Sequence, residues 1–126
     1  MPASASGSEA FDKLKAVLQE HAPALKVAKD EPRFYMLHGK VIVRRKKGHL
    51  FGAVLAMDDI VKFYLTELIW HHDLRGQISP ELLKHDQNIT CFVFQANGAD
   101  LTDSLLTELA GLVKTCLDRM KQQGRA

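Results

Sequence analysis

Two apolar runs separated by a pair of aspartates constrain the fold more than any other feature of this chain. Leu50 to Met57 is almost continuously apolar. Ile60 to Thr66 alternates, with Val61, Phe63 and Leu65 on one side and Ile60, Lys62, Tyr64 and Thr66 on the other. Period-two alternation marks a half-buried strand, because successive side chains of a pleated backbone point to opposite faces. The Asp58-Asp59 link is turn chemistry rather than an acid/base pair, since aspartate readily bonds the main chain of a tight turn. Strands joined by so short a link pair antiparallel, a parallel partner needing a crossover of a dozen residues or more.

The flanking segments read in the same way. Ser8 is placed to cap a helix carrying Phe11, Leu14, Val17 and Leu18 on one face, bounded by Pro23. Residues 22 to 32 read as a loop. Arg33 to Leu37 and Lys40 to Arg45 read as strands around a His38-Gly39 turn. From Glu67 to Gln77 no period holds. Ser79-Pro80-Glu81 opens a short helix, with the serine as cap and the proline at the first helical position. Ile89 to Phe94 is a last strand. A long helix follows, capped by Asp100 or Thr102, whose stripe is Leu105, Leu106, Leu109, Leu112, Val113, Cys116, Leu117 and Met120. Gly111 in that helix costs about 1 kcal/mol against alanine, which predicts close packing there.

Two amphipathic helices can cover only one face of the sheet these strands form. The fold class is therefore α+β: a two-layer sandwich of an antiparallel sheet of about five strands, with an N-terminal and a long C-terminal helix on one face. Residues 1 to 7 are expected to be a disordered tail and 8 to 126 a single domain. The other sheet face is then the first place for a ligand or protein partner, and its candidate residues are Tyr35, Lys62 and Tyr64. A homodimer through that face is an expectation too, because Ile60 would otherwise meet water beside Tyr64.

Composition narrows the function classes. At 126 residues, 46% hydrophobic and 25% charged, the chain resembles an ordinary globular domain and not a disordered or fibrous one. Seventeen Lys+Arg against fifteen Asp+Glu leave a net charge of +2, too balanced to argue for nucleic acid. No apolar run approaches the ~20 residues of a membrane helix, and the first residues lack the basic and apolar regions of a signal peptide, so a cytoplasmic location is expected. Cys91 lies in an apolar run and Cys116 on the long helix, and both read as buried free thiols.

Local clusters add three candidates. Arg44, Arg45, Lys46 and Lys47 form the densest basic run, able to hold nucleic acid or another anion at a hairpin tip; such lysines also belong to ordinary solvated hairpin ends. His71, His72 and Asp73 are good ligand types for iron or zinc, although adjacent residues on a strand point apart, and a polar loop is the plainer account. No nucleophile–base pair, phosphate-binding loop or Cys-x-x-Cys motif is present, so no enzyme is indicated and no resident cofactor is expected, with iron as the alternative.

Ile60-Val61-Lys62-Phe63-Tyr64-Leu65, then Ile78-Ser79-Pro80-Glu81-Leu82, then Asn88-Ile89-Thr90-Cys91-Phe92-Val93-Phe94 and a long helix occur in this order. That series resembles the YdhG-like family of small bacterial domains. The resemblance implies an antiparallel sheet with helices packed on it, similar in outline to frataxin. The residues themselves point to a non-catalytic binding domain of unknown ligand. The family's members are domains of unknown function, some of them described as frataxin-like iron chaperones, which makes iron delivery what the resemblance implies. The carboxylates such a role would use on the first helix are here Glu9, Asp12 and Glu20, interrupted by Lys13 and Lys15.

Overall fold

The computed structural model describes residues 9–21, 25–41, 48–66, 68, 71–88 and 90–122; for 39–41, 48–50 and 88 it describes the backbone alone. The chain runs α1 (Glu9–His21), β1 (Lys26–Glu31), β2 (Phe34–Val41), β3 (Gly48–Ala56), β4 (Ile60–Leu65), α2 (His72–Gly76), α3 (Pro80–Leu83), β5 (Asp86–Asn88), β6 (Cys91–Gln95) and α4 (Asp103–Gln122). All strand pairs are antiparallel in one six-stranded sheet of order β1-β2-β3-β4-β6-β5. Helices and sheet make the α+β architecture that the two periodicities imply.

The tight link between β3 and β4 forms as its chemistry predicts. Ala56 pairs with Val61, and the Met57 N–H donates to the Ile60 carbonyl at 2.8 Å. Ser79 caps α3, its Oγ accepting from the Leu82 N–H at 3.2 Å, and Thr102 Oγ1 accepts from Leu105 N–H at 3.2 Å at the start of α4. Each hydroxyl satisfies a donor that has no partner inside its helix. The capping expected of Ser8 lies outside the described residues.

The core is the helix-facing side of the sheet. Phe11, Leu14, Val17 and Leu18 of α1 and Leu105, Leu109, Leu112, Val113, Cys116, Leu117 and Met120 of α4 are buried together with Leu37, Phe51, Val54, Val61, Phe63, Leu65, Phe92 and Phe94. Helix α1 packs across α4 and against β3 and β4. A Cβ on Gly52 of β3 would stand 2.9 Å from the Tyr64 carbonyl oxygen of the neighbouring β4 and 3.5 Å, an ordinary contact, from Leu18 Cδ2 of α1. Glycine is what this approach to the β4 backbone requires.

Four expectations are corrected. The supposed loop over 22–32 contains β1, an edge strand in which five of six residues are exposed and four of six are charged. Such a strand has no core face to produce an apolar alternation, and its lysines discourage a further strand from pairing. His38-Gly39 is not a turn but the continuation of β2, which runs unbroken to Val41. Within Glu67–Gln77, where no period was legible, residues 72–76 form α2. Gly111 is exposed, and a Cβ there would meet nothing within 4 Å, so no close packing explains it.

Candidate functional site

Strand register sorts the sheet's side chains into two faces. On the helix side one row reads Tyr35, Val54, Phe63 and Phe92, all buried. On the opposite side the next rows read Glu31, Phe34, Leu55, Lys62 and Val93, and Lys29, Met36, Ala53, Tyr64 and Cys91. Phe34, Met36, Leu55, Lys62, Tyr64 and Val93 are half-buried, and none belongs to the core cluster or packs against it. Among the described residues no helix crosses this face. The sheet therefore presents an apolar surface four strands wide with a lysine and a tyrosine near its middle.

Neighbours set the chemistry at that centre. Burial pushes the Tyr64 phenol above its ordinary value, and the adjacent Cys91 thiol adds to the effect. Burial also pushes the Cys91 thiol up, against the opposing pull of Lys62, while its Sγ lies 3.8 Å from Gln87 Oε1. A thiol kept protonated is a poor nucleophile. Lys62 makes no ion pair with any described residue. The surface can thus recognise apolar groups and one negative charge.

Compared with protein-family models, curated proteins and solved structures, the chain matches none.

Of the sheet-face candidates, Lys62 and Tyr64 stand together on the open side, and Tyr35 does not. Tyr35 is opposite Val54 and lies 3% exposed on the helix-covered face. There Lys15 Nζ of α1 sits 5.3 Å from its ring centroid and 2.8 Å from Asp30 Oδ1. Burial raises the Tyr35 phenol, with the Asp30 carboxylate as the next cause. Tyr35 is a clasp between sheet edge and helix. A tyrosine suits either face, and alternation alone does not say which parity meets the helices. Phe34 and Met36, one residue either side, are the open-face residues that this reasoning missed.

His71, His72 and Asp73 are not brought together as ligands. His71 is buried; His72 is exposed and accepts a hydrogen bond at Nδ1 from Arg75. Both Asp73 oxygens are taken by Arg119, at 2.8 and 2.6 Å, in a fork that ties α2 to the last turns of α4. That guanidinium holds the Asp73 carboxyl down at about 2. Among the described residues no three of His, Cys, Asp and Glu are arranged to hold a metal ion. Glu9, Asp12 and Glu20 are exposed on α1. Arg44, Arg45, Lys46 and Lys47 lie outside the described residues.

A polar cleft of about 610 Å³ opens between α3 and the start of α4. Glu108 accepts there from the Ser79 N–H at 2.8 Å and from its Oγ at 2.6 Å. His85 stacks on Phe94, its rings 4.5 Å apart, and places Nδ1 3.0 Å from the Val93 carbonyl oxygen and 3.6 Å from Asp100 Oδ2. Reading Ser79 as a helix cap hid its second role, since Glu108, 29 residues on, had no local signal linking the two. These groups mostly bond one another, joining α3, β6 and α4. The cleft is built as a joint of the fold, whereas Lys62 makes no ion pair with any described residue and the apolar residues beside it lie outside the core cluster.

Proposed function

We propose that this chain is a non-catalytic binding domain whose working surface is the open face of the sheet. The observation that supports the reading is the pair of rows Phe34, Leu55, Lys62, Val93 and Met36, Ala53, Tyr64, Cys91, which lie across four strands and outside the core cluster. A sheet usually turns polar side chains toward water on its uncovered face, and a contiguous apolar patch marks a place where another molecule sits. The same reading keeps the chain with the YdhG-like domains it resembles, working in the cytoplasm. No helix among the described residues is long and apolar enough to cross a membrane.

A dye with an apolar ring system and one sulfonate, 1-anilinonaphthalene-8-sulfonate, probes the surface at low micromolar protein. It should bind the folded protein with enhanced fluorescence, and its amide-shift footprint should fall on β2, β3, β4 and β6. Leu55→Glu places a second charge in the apolar row and should weaken the dye at least about tenfold with the thermal midpoint little changed. A footprint on the cleft of Ser79, His85 and Glu108, or unchanged binding by Leu55→Glu, would overturn the reading.

A further inference from the structure

Resting on that reading of the open face, we infer that its occupant is a second copy of this chain, related by a two-fold axis that runs along the strands between β2 and β3. Lys62 of β4 carries the positive charge near the middle of that face. Within its own protomer, among the described residues, this cation has no carboxylate partner and lies half-buried among Leu55, Tyr64 and Val93. Any partner that covers the face must supply a negative charge, because a desolvated ammonium left unpaired costs far more than apolar contact returns. The chain carries such a charge in the same row. Glu31 pairs with Phe34, Phe34 with Leu55 and Leu55 with Lys62, so the carboxylate and the ammonium sit on one face, three strands apart.

That spacing selects the symmetry. A two-fold axis parallel to the strands at the β2/β3 boundary lays β1 over the partner's β4 and β2 over its β3, and keeps each row over itself. Glu31 then meets Lys62 of the partner subunit, and Phe34 meets the partner's Leu55, each contact occurring twice as an isologous interface demands. In the neighbouring row Met36, a long side chain, falls on the partner's Ala53, a short one, and Lys29 falls on the partner's Tyr64. Shifting the axis by one strand, to β3/β4, would cover more of β6 but would set Lys62 on the partner's Leu55 with no counter-charge. The charge pairing therefore decides against the larger overlap. Sheets packed face to face cross at about 30°, which displaces side chains one and a half strands from the axis by about 4 Å. A lysine stem and a glutamate span that offset. Glu31 also lies 3.5 Å from Lys29 within its own protomer, both groups being more than half exposed, and it can serve both cations.

Sedimentation equilibrium of the whole chain from micromolar to millimolar concentration tests this, with the dye measurement as a companion. The wild type should dimerise, and dimerisation should displace the dye. Glu31→Lys and Lys62→Glu should each weaken the dimer at least about tenfold by setting like charges face to face. The double variant Glu31→Lys with Lys62→Glu should return to within about threefold of the wild type, because the swapped pair is restored across the axis. A chain that stays monomeric at millimolar concentration overturns the dimer, as does a dimer indifferent to either single reversal or a double swap that does not recover. Dye binding separates the two readings: a monomer that still holds dye on the sheet leaves the proposed binding surface standing and removes only this occupant. Loss of both removes both.

Discussion

Phe63 and Tyr64 are neighbours on β4 with similar rings, yet they live in different solvents. Phe63 lies fully buried against the helices, in a row with Tyr35, Val54 and Phe92, while Tyr64 is half-buried on the open face between Ala53 and Cys91. The helix face closes a core in which every large side chain has found its neighbours. The open face carries side chains of the same kind, and among the described residues no helix forms a second layer over it. The difference teaches where each property resides: stability comes from one parity of the strands, and recognition falls to the other.

The largest effect should separate the two parities outright. Phe63→Ala removes a fully buried ring and leaves a cavity under α1 and α4, and should cost about 3–5 kcal/mol in denaturant unfolding. Tyr64→Ala should cost only about 1 kcal/mol, the scale of a cross-strand pair, while weakening dye binding strongly. Equal costs would mean that the open face is a second core and would break the comparison. Gly52→Ala comes next. Its Cβ would press on the Tyr64 carbonyl oxygen, a backbone atom that cannot step aside, so a loss of about 1–3 kcal/mol is expected. Gly111→Ala should do the opposite. The residue is exposed in mid-helix with free space around it, so alanine should raise stability by about 1 kcal/mol, read as a higher urea midpoint.

Most of the covered layer was legible in the sequence because helical and strand periods report burial directly. The stripe on α4 and the face of α1 were read position by position, and Leu106 alone of that stripe is only partly buried against the core. What was not legible has one physical cause. A period describes a single segment, whereas faces and joints depend on how segments meet. Strand β1 lacks an apolar face, so nothing in Lys26–Glu31 distinguished it from a loop until β2 lay beside it. Tyr35 was set on the wrong side because only the register with Val54 and Phe63 fixes its parity. Of the candidate site, Lys62 and Tyr64 were legible, being the polar phase of the clearest alternation. Phe34, Met36 and Val93 were not, since apolar residues without a polar contrast look like core.

The smallest effect compares the charges of the two layers. On the helix side Asp73 is held by the Arg119 fork and titrates at about 2, below its ordinary 3.8; on the open face Lys62 has no described carboxylate beside it. A carboxyl whose value is depressed on folding stabilises the native state while it is ionised. Its contribution is therefore complete above about pH 4 and fades as pH falls toward about 2, where the folded protein also takes up the proton. Asp73→Asn should unfold at lower urea than the wild type near neutrality, and the two curves should converge as pH falls through that window. Because the pair is largely solvent-exposed, the gap should be small and should shrink further in high salt. Lys62→Met, measured at concentrations where the chain is monomeric, should show no gap that depends on pH over the same range. Parallel curves for Asp73→Asn would mean that the fork positions α2 without adding charge stabilisation. A pH-dependent gap for Lys62→Met would mean that this lysine already has a carboxylate within its own protomer, and the contrast between the two layers would then rest on apolar burial alone.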